Sequence, residues 1–160
     1  MKTKRIVILP ILLVLALTLT SGAAIANNKT PYTGTECWVA DLAPGEWVPK
    51  DGKVHVSGYV QQFVDAVSDS RISGDTAVTV NAILDPSTFT GPMWGTFEIV
   101  NADGAWTGHW VGSLDNFVSS IHATAHGNGA YEGLIANVDY NRPGPWACFV
   151  VEGYIVETGH

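Results

Sequence analysis

Charge is scarce in this chain. Asp, Glu, Lys and Arg make up 14% of its 160 residues, and eight basic residues stand against fifteen acidic ones, for a formal charge of -7. So acidic a chain lacks the clustered Lys and Arg that phosphate-backbone binding requires, which excludes nucleic acid as an expected partner. Cysteine is scarce too: two residues allow one internal bridge and exclude a disulfide-dense miniprotein. There is no Gly-rich phosphate loop, no Gly-x-Ser-x-Gly elbow, no internal repeat and no low-complexity segment. Beyond the N-terminal block no stretch carries a convincing 3.6-residue apolar period, which argues against a helical domain. The length suits one domain rather than two.

The one long apolar run sits at the N-terminus. Lys2, Lys4 and Arg5 precede an apolar core from Ile6 to Leu17, and Ala24-Ile25-Ala26 supplies small residues for cleavage. Residues 1–26 therefore read as a secretory signal. The rival, a retained anchor, is disfavoured because the run falls short of the ~20 residues a span needs and Pro10 interrupts it. Cleavage after Ala26 would remove three of the eight basic residues and leave a net charge of -10. Such a chain stays soluble, repels anionic surfaces and makes no stable membrane insertion. It is expected to be secreted, extracellular or periplasmic, where Cys37 and Cys148 can be oxidised. Residues 27–34 read as a flexible mature N-terminus and 35–160 as the folded domain.

Segments rich in Val, Ile, Thr and aromatics alternate with Gly, Pro, Asn and Asp, the pattern of short strands and turns. Eight are expected, at 35–42, 54–67, 73–84, 94–101, 105–114, 117–126, 130–140 and 146–157. Asn101 to Gly104, Leu114-Asp115-Asn116 and Gly127-Asn128-Gly129 supply hairpin turns, and Ala43 to Lys53 reads as the widest loop. The spacing predicts an all-β fold, a single eight-stranded antiparallel up-and-down barrel, lipocalin-like in outline. Cys37 lies in the first segment and Cys148 in the last. A bridge needs Cα atoms within ~7 Å, and closure makes those strands neighbours. The bridge would close a loop worth about 4–5 kcal/mol in the chain-entropy account. A two-sheet sandwich with an intersheet bridge is the alternative.

Strand alternation sorts the side chains. Trp106, Gly108, Trp110, Gly112 and Leu114 share one face, as large rings alternating with bare backbone suit a barrel interior. Phe97 and Ile99 oppose Thr96 and Glu98; Ile121, Ala123 and Ala125 oppose His122 and His126. Several strands are apolar on both faces, which points to a homo-oligomer or to cover by long loops. His122 and His126 have the spacing of a helical metal pair. On a strand, however, four residues at ~3.3 Å each set them about 13 Å apart, too far for one tetrahedral zinc. Ala123 also replaces the Glu of a metalloprotease signature. No metal or other cofactor is expected.

Trp94-Gly95-Thr96-Phe97-Glu98-Ile99, Gly104 to Gly112 and His126-Gly127-Asn128-Gly129-Ala130-Tyr131-Glu132-Gly133-Leu134 resemble the glycine and aromatic positions of small bacterial barrels related to allene oxide cyclase and dirigent proteins. The resemblance covers about a third of the mature chain directly. It implies an oligomeric eight-stranded barrel with a hydrophobic lumen, and a cofactor-free cyclase or isomerase or a pure binding module. No catalytic residue of those enzymes maps onto a position here. From the residues themselves, Phe97, Trp106, Trp110, Tyr131 and Tyr154 are the candidate ligand wall. Glu98 and His126 are the candidate acid or base that would polarise a carbonyl or epoxide. The expected ligand is a small hydrophobic molecule. The rival reading is a filled barrel that serves as a structural or surface-interaction domain without a ligand.

Overall fold

The computed structural model describes residues 29–145 and 147–158. The expected signal segment, residues 1–26, lies outside the described residues, as does Trp146. No described helix is long and apolar enough to cross a membrane.

The described residues form nine strands: β1 (Thr30–Ala43), β2 (Glu46–Lys50), β3 (Lys53–Val67), β4 (Gly74–Leu84), β5 (Gly91–Val100), β6 (Gly104–Asp115), β7 (Val118–Gly129), β8 (Leu134–Arg142) and β9 (Phe149–Glu157). A single 3₁₀ turn, Ser70–Ile72, joins β3 to β4. All pairings are antiparallel, and consecutive strands from β3 to β9 are neighbours. β1 closes the sheet into a ring, because its first half pairs with β9 and its second half with β3. Cys37 bridges to Cys148, just ahead of β9, with Cα atoms 4.4 Å apart. The expected bridge therefore forms where the chain's two ends meet.

Three differences from the sequence reading have local causes. β1 starts at Thr30, so residues 30–34, expected to be flexible, are laddered to β9. The expected wide loop contains β2, a strand that pairs with β3 alone and adds a ninth to the ring's eight. Its hairpin turns at Asp51-Gly52, both at positive φ (51° and 71°), the backbone that a two-residue turn between right-twisted strands requires. β8 starts at Leu134, because residues 130–133 form a turn between Gly129 and Gly133, at φ 67° and 83°.

Alternate residues of β5 to β9 point into the ring, and those are the buried ones. Rings lie on bare backbone, as expected: a Cβ on Gly108 would come within 2.8 Å of the Phe97 ring, and one on Gly95 within 2.9 Å of the Trp110 indole nitrogen. Small Ala123, Ala125 and Ala136 on the facing strands leave the volume those rings fill.

One end of the ring is plugged. Trp106, fully buried, donates its indole N–H to the Arg71 carbonyl in the 3₁₀ turn at 2.7 Å. Tyr131 stacks on Trp106 with centroids 5.5 Å apart, and its hydroxyl donates to Asn101 Oδ1 at 2.8 Å. Asn101 Nδ2 in turn donates to the carbonyls of Arg71 and Ser73. Ile72 adds a buried apolar cap. At the other end lie the β2 hairpin, the β4–β5 and β6–β7 turns and the segment after β8.

Candidate functional site

A cavity of about 320 Å³ occupies the unplugged half of the ring. It runs from Trp47, Phe89 and Phe117, all exposed, down to Glu36, Phe63 and Trp110 in the interior. Its aliphatic wall comes chiefly from β4, through Val78, Val80, Ala82 and Leu84, and aromatic rings line much of the rest. Below it, a chamber of about 30 Å³ lies among Glu36, Phe97, Trp110 and Tyr140, space for roughly one water-sized group.

The acid at the junction of the two spaces is Glu36. It sits on β1 directly opposite Asp65 on β3, and both are nearly fully buried, 6% and 3% exposed. Burial pushes the Glu36 carboxyl well above its ordinary range, and the Asp65 charge raises it further. Burial raises Asp65 to about 7, against the Thr76 hydroxyl, which donates to its Oδ2 at 2.5 Å and pulls the other way. The Tyr140 phenol, also desolvated and facing both acids, is pushed up in the same way. Two carboxyls so close in an apolar interior cannot both ionise cheaply, so burial and the Asp65 charge favour the protonated form of Glu36. A neutral carboxyl at the inner end of a cavity can donate that proton to an oxygen of whatever enters.

The rim carries opposite electrostatics. Asp41 is exposed and accepts three hydrogen bonds on one oxygen, from Tyr59 Oη at 2.5 Å and from Gln61 Nε2 and Trp38 Nε1 at 3.2 Å. Those donors, Tyr59 foremost, hold its carboxyl below the usual range, so it stays ionised. Phe89 and Phe117 stack across two turns with centroids 4.9 Å apart. Both hold positive φ, 51° and 69°, a strained backbone for a bulky residue.

The residues expected to form the site divide into three groups. Trp110 lines both spaces and Phe97 lines the small chamber, as expected of a ligand wall. Trp106 and Tyr131 are buried in the plug and line neither space, because their polar atoms are committed to Arg71 and Asn101. Glu98, His126 and Tyr154 are corrected outright: all three point outward. Glu98 and His126 both sit opposite Thr107 on β6 and are exposed, since Phe97 and Ile99 on one side and Ala125 on the other hold the inward positions. Tyr154 lies outside with Lys29 Nζ 4.1 Å from its ring centroid, while Val151 and Ile155 face in. His122 is also outside, its Nδ1 2.8 Å from Asp139 Oδ1. Among the described residues, no three of His, Cys, Asp and Glu converge as metal ligands.

Sequence reading missed Glu36, Asp65 and Arg142. The phase of β1 was invisible with its first five residues read as flexible; Tyr32-x-Gly34-x-Glu36 alternation, once started at Thr30, puts Glu36 inside. In β3 both faces of Phe63-Val64-Asp65-Ala66-Val67 are apolar, so alternation gave no direction. No family model, curated protein or solved structure matches this chain.

Proposed function

We propose that the ring is an eight-stranded up-and-down barrel of an exported protein that binds a small hydrophobic molecule, and that Glu36 makes it a cofactor-independent isomerase or cyclase. The observation that carries the reading is a buried acid, its carboxyl pushed up by burial, on the inner wall of an open and largely apolar cavity. Glu36 donates its proton to the carbonyl or epoxide oxygen of the bound molecule. The carboxylate so formed takes a proton back from carbon as the new bond pattern sets. Substrate and product are isomers, so no oxidant, reductant or co-reactant is consumed. Asp65, near neutrality, is placed to hold the second proton of the pair. Confinement between the Trp110 ring and the aliphatic wall supplies the folded shape a ring closure needs.

The Cys37–Cys148 bridge supports an oxidising compartment. A homo-oligomer belongs to the same reading, and its support is exposed Trp94 directly opposite exposed Val111 on the outer face of β5 and β6.

The test is native mass spectrometry of protein purified from its own culture, followed by identification of the retained molecule. Glu36→Gln should retain that molecule with its affinity within about threefold, yet lose its conversion by about a hundredfold or more, the scale of a removed general acid. Unchanged conversion in Glu36→Gln overturns the catalytic reading. Absence of any retained molecule, together with no binding of the neutral dye N-phenyl-1-naphthylamine, overturns the binding reading.

A further inference from the structure

The cavity wall contains a second strongly polar feature, beyond the Phe149 ring that stands opposite Glu36 in the ladder. Arg142 is the last residue of β8, half-buried, and it lines the cavity. Its guanidinium carbon lies 5.2 Å from the centroid of the Phe149 ring, which carries it as a flat support. Its Nε is buried and has no hydrogen-bond partner among the described residues. No described carboxylate pairs with it: the ion pairs among the described residues are Lys53–Asp85, Arg71–Asp69 and His122–Asp139. Directly opposite on β7, Ser119 is 3% exposed and brings a hydroxyl to the same wall.

A guanidinium taken partly out of water and given no counterion loses solvation without recovering it. Among the described lining residues the other ionisable groups are Glu36 and the Tyr59 phenol, and burial pushes both towards their neutral forms. The rim carboxylate, Asp41, is engaged by Tyr59, Gln61 and Trp38. An acidic protein thus presents a net positive cavity wall, with a five-donor fork above an apolar chamber.

We infer that the ligand is an amphipathic organic anion, its oxyanion head group held by Arg142 and Ser119 and its apolar body lying along β3 to β6. The inference rests on the binding reading above and adds the charge of the ligand to it. A head group anchored there fixes how the body enters the cavity that Glu36 also lines. At about 320 Å³ the cavity sits at the lower bound of small-molecule sites, so the body is compact.

The experiment compares two dyes that share a phenylnaphthylamine skeleton and differ by a sulfonate: 1-anilinonaphthalene-8-sulfonate and neutral N-phenyl-1-naphthylamine. Both are titrated against the full chain, Arg142→Gln, Arg142→Lys and Met93→Trp, with far-UV circular dichroism as the check of folding. Arg142→Gln should weaken the sulfonate dye by about tenfold, as loss of a charge-assisted pair does, and leave the neutral dye within about twofold. Arg142→Lys, which keeps charge and loses the fork, should fall between the two. Where Arg142→Gln does not fold, Arg142→Lys is read in the same way. Met93→Trp fills the cavity and should weaken both dyes, placing them inside it. Equal effects of the Arg142 variants on both dyes overturn the anion while leaving the cavity reading standing. Failure of both dyes to bind the unaltered chain, or indifference of both to Met93→Trp, overturns the two together.

Discussion

The two ends of the ring solve opposite problems with the same strands. Within the plug three large polar side chains are answered: Trp106 by Arg71, Tyr131 by Asn101, and Asn101 by the carbonyls of the 3₁₀ turn. In the cavity half the polar groups of Glu36 and Arg142 are partly or wholly buried with few answers, and two phenylalanines at the rim hold backbone that favours glycine. The first end is where burial and hydrogen bonding agree. The second keeps unsatisfied chemistry and strain, which persist only where the surrounding fold holds them in place. A closed sheet thus lets one half stabilise what the other half leaves unsatisfied.

The sharpest way to break this contrast is Trp106→Ala. Removing a fully buried ring that also donates a hydrogen bond should cost about 3–5 kcal/mol. Urea unfolding would measure it, with the neutral dye still bound by the molecules that remain folded. A loss below about 1 kcal/mol would mean that the plug does not hold the fold.

A smaller effect should appear with pH. Asp65 is raised from 3.8 to about 7 on folding, so the folded state binds more protons than the unfolded chain across that window. Stability is therefore fully present below about pH 4 and falls as pH rises towards 7. Asp69 and Asp85 act the other way, held low by Arg71 and by Ser87 and Lys53, and their contribution is lost only as pH drops below about 4. Asp65→Asn, which can still accept from Thr76, should flatten the decline between pH 4 and 7 by on the order of 2 kcal/mol. An unchanged slope in the denaturation midpoints would show that the buried pair is not the source.

The smallest change expected in stability is at the rim. Phe117→Gly relieves a positive-φ strain and gives the β6–β7 turn an Asn-Gly pair, while it loses the stack with Phe89. The two effects offset, so unfolding should move by less than about 1 kcal/mol. Stopped-flow mixing with the neutral dye should show faster association once one of the two stacked rings is gone. No change in rate would mean that the rim aromatics do not control access.

The half of the ring from β5 to β7 was legible because its alternation is coded by extremes. Trp next to Gly and Ala leaves only one face able to take the ring. Bridge and closure were legible from the positions of Cys37 and Cys148. The acids were not, because their strands lack that contrast. Asp65 has Val64 and Ala66 as neighbours, and burial there is set by which strand lies opposite, a long-range fact. Glu98 and His126 are ionisable groups on strands rich in aromatic and small residues, yet their inward-facing neighbours Phe97 and Ala125 put them on the opposite face. Tyr154 failed for the same reason, and Trp106 and Tyr131 because a buried aromatic fills a plug as readily as it lines a site.

The β2 hairpin has a consequence for how copies of this chain meet. Its outer flank is the end of the sheet order, a row of backbone groups with no neighbouring strand among the described residues. All five of its residues are exposed. Such a flank is a template onto which another molecule's strand can add, and long, flat, apolar ones seed aggregation. Here Pro49 deletes a donor from the row, and Glu46 and Lys50 put opposite charges at its two ends. The hairpin is short, charged and proline-broken, so a chain with many exposed valines is protected from edge-to-edge growth at the place where its sheet stops.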